Sequence, residues 1–341
     1  MSRSINEQDR IAPGLAVKRG DVPGWQPITE MPLLIFVGVT GVGKSTILAQ
    51  LTGVLTQCAT SIYSLPNRRE LTDRLIIGQM QELDGYSPSP VTDRHLRFDY
   101  TKRYREHFAG GMAYALSQMV VARELSNSLL IFDGLRGENE VIFAAKAFPK
   151  ASFLLLDAPD LVRVQRLLGR GDAFDNIGVA EDAPQATHNF HSLGLPEAAA
   201  LFSKREEQIL FGLVDSGQVT TAELLAKLRI VVEERRNYDP RATRRFLQQA
   251  APERIVQIDT TDCPPTVAAQ RMTQHLLAKG MIAAPAMPAR HEDPVANSLT
   301  VLDDAGPAVT KPTGKPSPTK TRPKRRSPRQ TEPTNETGAS R

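Results

Sequence analysis

The 341-residue chain has little of what secreted and membrane proteins rely on. Its two cysteines, Cys58 and Cys263, lie far apart and outside any CxxC spacing. That excludes a disulfide framework and a cysteine-based zinc cluster. Its longest apolar runs, such as Leu33 to Val37 and Leu129 to Phe132, are strand-sized, far below the roughly 18 residues of a membrane span. Met1 to Asp21 lacks the apolar stretch of a secretory leader, so a cytoplasmic protein with no membrane association is expected. Excess charge is also missing from most of the chain. Residues 285–341 hold ten Lys or Arg against six Asp or Glu, which accounts for the whole formal charge of +4. The basic pI is therefore no sign of a nucleic-acid-binding fold.

That tail contains ten of the 25 prolines and no Phe, Trp or Tyr. It has too little apolar surface to offset ordering entropy, so 285–341 is expected to be a disordered Pro-rich basic segment. Lys311 to Arg329 carries eight basic residues and no acid, which suits nucleic acid or another acidic partner, or simply a solvated arm. Residues 1–30, broken by Pro13, Pro23 and Pro27, read as an irregular lead-in.

Between about 31 and 280, short apolar runs alternate with helical periodicity. This is the pattern of an α/β fold, a parallel sheet with helices on both faces. Strands are expected at Leu33 to Val37, Leu129 to Phe132, Phe153 to Leu156 and Ile255 to Ile258, with a weaker one at Ala59 to Ser64. Continuous apolar character fits strands covered on both faces. Helices are expected at Lys44 to Leu55, Arg103 to Glu124, Glu197 to Val214, Thr221 to Arg236 and Thr266 to Lys279, the fourth opened by a Thr220 to Glu223 capping box.

Directly after the first strand stands Gly38-Val39-Thr40-Gly41-Val42-Gly43-Lys44-Ser45-Thr46, a full GxxxxGK[ST] match. A strand before it and a helix after it aim backbone N–H groups and a helix dipole at one point, where a polyphosphate such as that of ATP would sit. Gly38, Gly41 and Gly43 let the backbone approach the phosphates, together with the Val42 amide. Lys44 would reach the β and γ phosphates, Ser45 would ligate Mg²⁺, and Thr46 would line the α and β side. The run Leu129 to Phe132 ends in Asp133-Gly134, placing Asp133 at a strand's carboxyl end, where it can hold Mg²⁺ or orient an acceptor. Arg136 follows within reach of a phosphate.

Strand-Asp-Gly-x-Arg after a phosphate loop resembles the nucleoside monophosphate kinase group of P-loop NTPases, including adenylate, thymidylate and dephospho-coenzyme A kinases. Phe153 to Pro159 followed by Arg163, Arg166 and Arg170 is similar to the group's strand and lid-bearing helix, and Gly169 to Asp175 to a thymidylate kinase lid. The resemblance implies a kinase domain over 31–280 with a lid at about 166–195, catalytic roles for Lys44, Asp133, Arg166 and Arg170, and ATP with Mg²⁺ as cofactors. Arg68 and Arg69, following the weaker strand, stand where guanylate kinases present arginines to the acceptor phosphate. With Arg136 they are the candidate substrate-binding set, since the planar guanidinium fork matches phosphate. The helix-rich stretch at about 196–250 exceeds a minimal nucleotide kinase. The expected activity is γ-phosphoryl transfer from ATP to a small nucleoside-like or phosphorylated acceptor. A switch or energy-transducing ATPase and a nucleic-acid end kinase remain as alternatives.

Overall fold

In a computed structural model, residues 5–18, 20–58, 60–169 and 189–284 are described. The central strand is β4 (Leu33–Val37), with all five residues buried. It pairs in parallel with β7 (Leu129–Leu135) on one side and β8 (Ala151–Asp157) on the other. Beyond them lie β5 (Ile62–Ser64) and β9 (Ile255–Asp259), giving a five-stranded parallel sheet of order β5-β7-β4-β8-β9.

The two faces follow the period of the strand. Leu34 and Phe36 pack with Ile47, Leu51 and Leu55 of α1 (Lys44–Leu55) and with Ala268, Met272 and Leu276 of α11 (Pro265–Ala278). Leu33, Ile35 and Val37 point the other way. They join Leu71 at the end of α2 (Arg68–Leu71), Met112 and Leu116 of α5 (Met112–Ser117), and Val141 of α6 (Glu138–Ala147). The fold is thus the expected α/β one, with helices on both faces, and truncating a residue such as Leu34 to Ala should cost about 2–5 kcal/mol.

A third apolar core lies in the helical stretch. It joins Val164 and Leu167 of α7 (Asp160–Leu168), Leu210 and Phe211 of α8 (Lys204–Asp215), and Leu224, Leu228 and Val231 of α9 (Thr221–Asn237). Both α8 and α9 open with complete capping boxes, Ser203 with Glu206 and Thr220 with Glu223. α8 therefore starts later than its apolar pattern suggests, after a 3₁₀ turn at Pro196–Ala200. α10 (Pro240–Ala250) follows α9 and leads to β9.

Two expectations are corrected. The lead-in is not irregular: β1 (Arg10–Ala12), β2 (Leu15–Val17) and β3 (Trp25–Pro27) join β6 (Met119–Ala122) in a second sheet, of order β1-β2-β6-β3. Nor is Arg103 to Glu124 one helix. α4 (Arg94–His107) stops before Gly110 and Gly111, whose φ values of 100° and 49° leave the helical region. After α5 the chain becomes β6 (Met119–Ala122), fully buried, with Leu15 opposite Val121 and Trp25 opposite Ala122. Antiparallel partners about a hundred residues away order three-residue strands too short to show alternation of their own.

The tail 285–341, including Lys311 to Arg329, lies outside the described residues, as do Arg170 and most of 166–195. No helix among the described residues is long and apolar enough to cross a membrane.

Candidate functional site

Every strand of the main sheet points its carboxyl end to one edge, where ligands bind in open α/β sheets. The loop after β4 turns there on Gly41 (φ 86°) and Gly43 (φ 91°), both in the left-handed region. A Cβ at Gly41 would stand 3.0 Å from the Arg163 carbonyl oxygen, so α7 backs the loop closely. Gly38 donates its N–H to the Leu135 carbonyl at 3.0 Å, and Val42 buries its side chain in the α1 core. These two shape the loop from beneath. Gly43 caps α1 without a side-chain hydrogen bond, which suits the first-turn N–H groups to an anion.

The Lys44 ammonium is folded under the loop, its Nζ donating to Gly38 O at 2.7 Å and Val39 O at 2.9 Å. Burial, with the positive charge of Arg136 next, lowers its pKa from 10.5 to about 7, against the opposing pull of Glu234 and Asp133.

A cleft of about 950 Å³ brings the loop residues Thr40 and Gly41 and the α1 residues Lys44, Ser45 and Thr46 together with Asp133, Arg136, Arg68, Arg69 and Arg166. Residues more than a hundred positions apart thus share one wall. Gly134 is required there, since a Cβ would sit 2.4 Å from the Phe132 ring and 2.9 Å from Arg68 Cβ.

The arginines divide by what they already hold. Arg68 forks onto Glu140, with contacts of 2.6 and 2.9 Å, and donates to Gly134 O. Its planar fork is matched within the protein; Arg69 and Arg136, the others of the expected substrate-binding set, also line the cleft. Arg136 anchors its main-chain N–H on Glu140 at 3.0 Å and one guanidinium nitrogen on Glu234 at 2.8 Å. Its Nε is buried with no partner among the described residues. Arg166 is not idle: it donates to Thr260 Oγ1 (2.8 Å), Thr260 O (2.7 Å) and Gly41 O (3.3 Å), tying α7 to the residue after β9 and to the phosphate loop.

Two residues that the sequence did not single out, Glu234 and Glu140, complete the arrangement together with Arg163, which the sequence placed only on the lid-bearing helix. Glu234, in the last turn of α9, accepts from Thr40 N at 3.0 Å, Thr40 Oγ1 at 2.6 Å, Arg136, and Arg163. Burial alone would raise its pKa, yet Arg136 and Arg163 hold it below the usual carboxylate range. Arg163, fully buried, also donates to Thr40 O at 2.8 Å and to Asp160 at 2.6 Å. Glu140 is likewise held low, against burial, by Arg68. Apart from Arg163 with Asp160, three residues earlier on α7, sequence spacing gives no sign of these pairings, because each partner comes from a different element.

No group of three or more His, Cys, Asp or Glu forms a metal cluster among the described residues. Mg²⁺ does not need one: it keeps several waters and takes one or two protein oxygens beside phosphate oxygens. Ser45 and Asp133 on one cleft supply that donor set.

No family model matches the chain, and no curated protein does. Among solved structures it is similar to a sugar kinase from a Janibacter species, at 15% identity over 74% of this chain and 99% of that one, TM-score 0.31. It is similar to shikimate kinase from Acinetobacter baumannii in complex with shikimate, at 14% identity over 73% and 94%, TM-score 0.32. TT1252 from Thermus thermophilus matches at 15% identity over 73% and 98%, TM-score 0.37. The functional reading rests on the cleft's own residues.

Proposed function

We propose that the cleft binds ATP and that the protein is a phosphotransferase acting on a small acceptor. One observation carries this reading: a complete phosphate loop shares a single cleft with Asp133, Arg136, Arg69 and Arg166. Lys44 would leave the Gly38 and Val39 carbonyls for the β and γ phosphates. The first-turn N–H groups of α1 would receive the inner phosphates, while Ser45 and Asp133 would hold Mg²⁺, which supplies charge neutralisation to the phosphate oxygens. Arg136 would face the transferring group, and Arg69 the acceptor side. Catalysis of this kind is positioning plus electrostatics, so no side-chain nucleophile is called for. The arginines on the cleft wall support a phosphorylated or nucleoside-like acceptor, since the guanidinium fork matches phosphate.

A second reading, a switch ATPase, is favoured by one contact. Thr40 of the loop is bonded to Glu234 of the helical layer, so a change at the loop has a direct route to α9. A radiolabelled-ATP transfer screen over nucleosides, nucleoside monophosphates, sugars and polynucleotide ends, with water as the control acceptor, separates the readings. Label on one small acceptor supports the phosphotransferase, and label released only as phosphate supports the switch.

A further inference from the structure

Thr40 is the third residue of the phosphate loop, ahead of the turn at Gly41 to Gly43 that leads into α1. If the inner phosphates lie on α1, the terminal phosphate lies toward Thr40, Lys44 and Arg136. Thr40 and Arg136 both line the cleft, but the Glu234 carboxylate that holds them does not; it sits behind the loop with Arg163. Glu234 is 7% exposed and Arg163 is fully buried. That carboxylate takes the N–H and hydroxyl of Thr40 and one guanidinium nitrogen of Arg136, so the group it holds ready to meet phosphate is Arg136.

We propose that Glu234 is a positioning residue that holds the Arg136 guanidinium to receive the terminal phosphate and pins the loop at Thr40 beside it, and so sets the preference for a triphosphate over a diphosphate. The inference rests on the ATP-binding reading and goes beyond it, because it gives the helical layer a task at the nucleotide. The main-chain N–H of Thr40 is turned back to the carboxylate, which pins the loop's third peptide in one orientation. Arg136 is held at two points, its main-chain N–H on Glu140 and its guanidinium on Glu234, while its buried Nε has no partner among the described residues. An arginine so anchored loses little freedom when it engages a phosphate oxygen.

The test compares Kd values of the full chain for ADP and for the non-hydrolysable β,γ-imido analogue of ATP, with Mg²⁺, by titration calorimetry. Glu234→Asp keeps a charge beside Arg163 but shortens the reach by one methylene. It should weaken the triphosphate analogue about tenfold, the scale of one charge-assisted hydrogen bond, and ADP far less. Arg136→Gln should do the same, and the double variant should be no worse than Arg136→Gln alone, since one residue acts through the other. If Glu234→Asp does not fold, Thr40→Val, which removes a single donor from the carboxylate, should show the same selective loss. Equal weakening of both nucleotides, or effects of Glu234→Asp and Arg136→Gln that multiply, would overturn the positioning role while leaving the ATP site standing. A wild-type chain that binds neither nucleotide would remove the functional reading and this inference with it.

Discussion

Glu234 and Thr40, 194 positions apart, are joined by two hydrogen bonds into the same carboxylate, from the Thr40 peptide at 3.0 Å and its hydroxyl at 2.6 Å. The last turn of α9 is thereby part of the phosphate loop's wall. Removing the carboxylate would leave the fully buried Arg163 with Asp160 as its remaining carboxylate partner. Glu234→Ala is expected to lower unfolding free energy by about 3 kcal/mol or more, as for a broken buried pair. Its neighbour Glu233, 47% exposed, should lose less than about 0.5 kcal/mol on the same change. Urea denaturation of the two variants checks the contrast.

The Arg68 and Glu140 pair gives a second stability prediction. Glu140 is 5% exposed and receives both ends of the Arg68 fork as well as the Arg136 N–H. Glu140→Gln should therefore destabilise by about 3 kcal/mol, and pairing it with Arg68→Met should recover much of that loss. Because Glu140 is held below its ordinary pKa of 4.5, its contribution is present above that pH and lost as pH falls through the lower folded value. The variant's stability deficit should accordingly shrink in acid, which melting curves between pH 3 and 7 would show.

Local chemistry made part of this site legible. The loop from Gly38 to Thr46 and the Asp133-Gly134 step are contiguous, and each residue's role follows from its immediate neighbours. The buried strands were readable because both faces of the sheet are covered, leaving unbroken apolar runs. Glu234 and Glu140 were not readable, nor was the buried pairing of Arg163, since in sequence they are ordinary charges on helices and acquire meaning only when α6, α7 and α9 meet at the loop. β6 was missed for a related reason. Met119 to Ala122 continues an apolar stretch from Ala113, and only Gly110-Gly111 and the β-branched Val120-Val121 hinted that the helix had ended. Its partners β2 and β3, and β1 beyond β2, inherit their order from it.

Arg166 separates a structural tie from a residue that waits for ligand. Its bonds to Thr260 and Gly41 O tie α7 to the residue after β9 and to the phosphate loop. Arg166→Ala should cost about 1–3 kcal/mol of stability through three lost hydrogen bonds, and nucleotide affinity should fall as well because Gly41 loses its support. Unchanged melting temperature with reduced turnover would contradict the structural tie.

Lys44 gives the proposed nucleotide binding an expected pH dependence. Its folded pKa of about 7 lies below the ordinary 10.5, so the unfolded chain binds more protons between those values. The cost of burying the charged lysine is full below pH 7 and is relieved as pH rises toward 10.5. Phosphate favours the ammonium, so ATP binding at pH 8 should take up a proton and weaken as pH rises further. Calorimetry in two buffers of different ionisation enthalpy measures that uptake, which Lys44→Met should abolish.

The most direct measurement is equilibrium binding of ATP with Mg²⁺ to the full-length wild-type chain and to Lys44→Ala. The wild type should bind one ATP per chain, and the variant should lose at least a few kcal/mol of that affinity, the scale of a preorganised electrostatic contact, while melting as a folded protein. Absence of ATP binding by the wild type, or equal affinity in Lys44→Ala, would contradict the assignment of this cleft as a nucleoside triphosphate site.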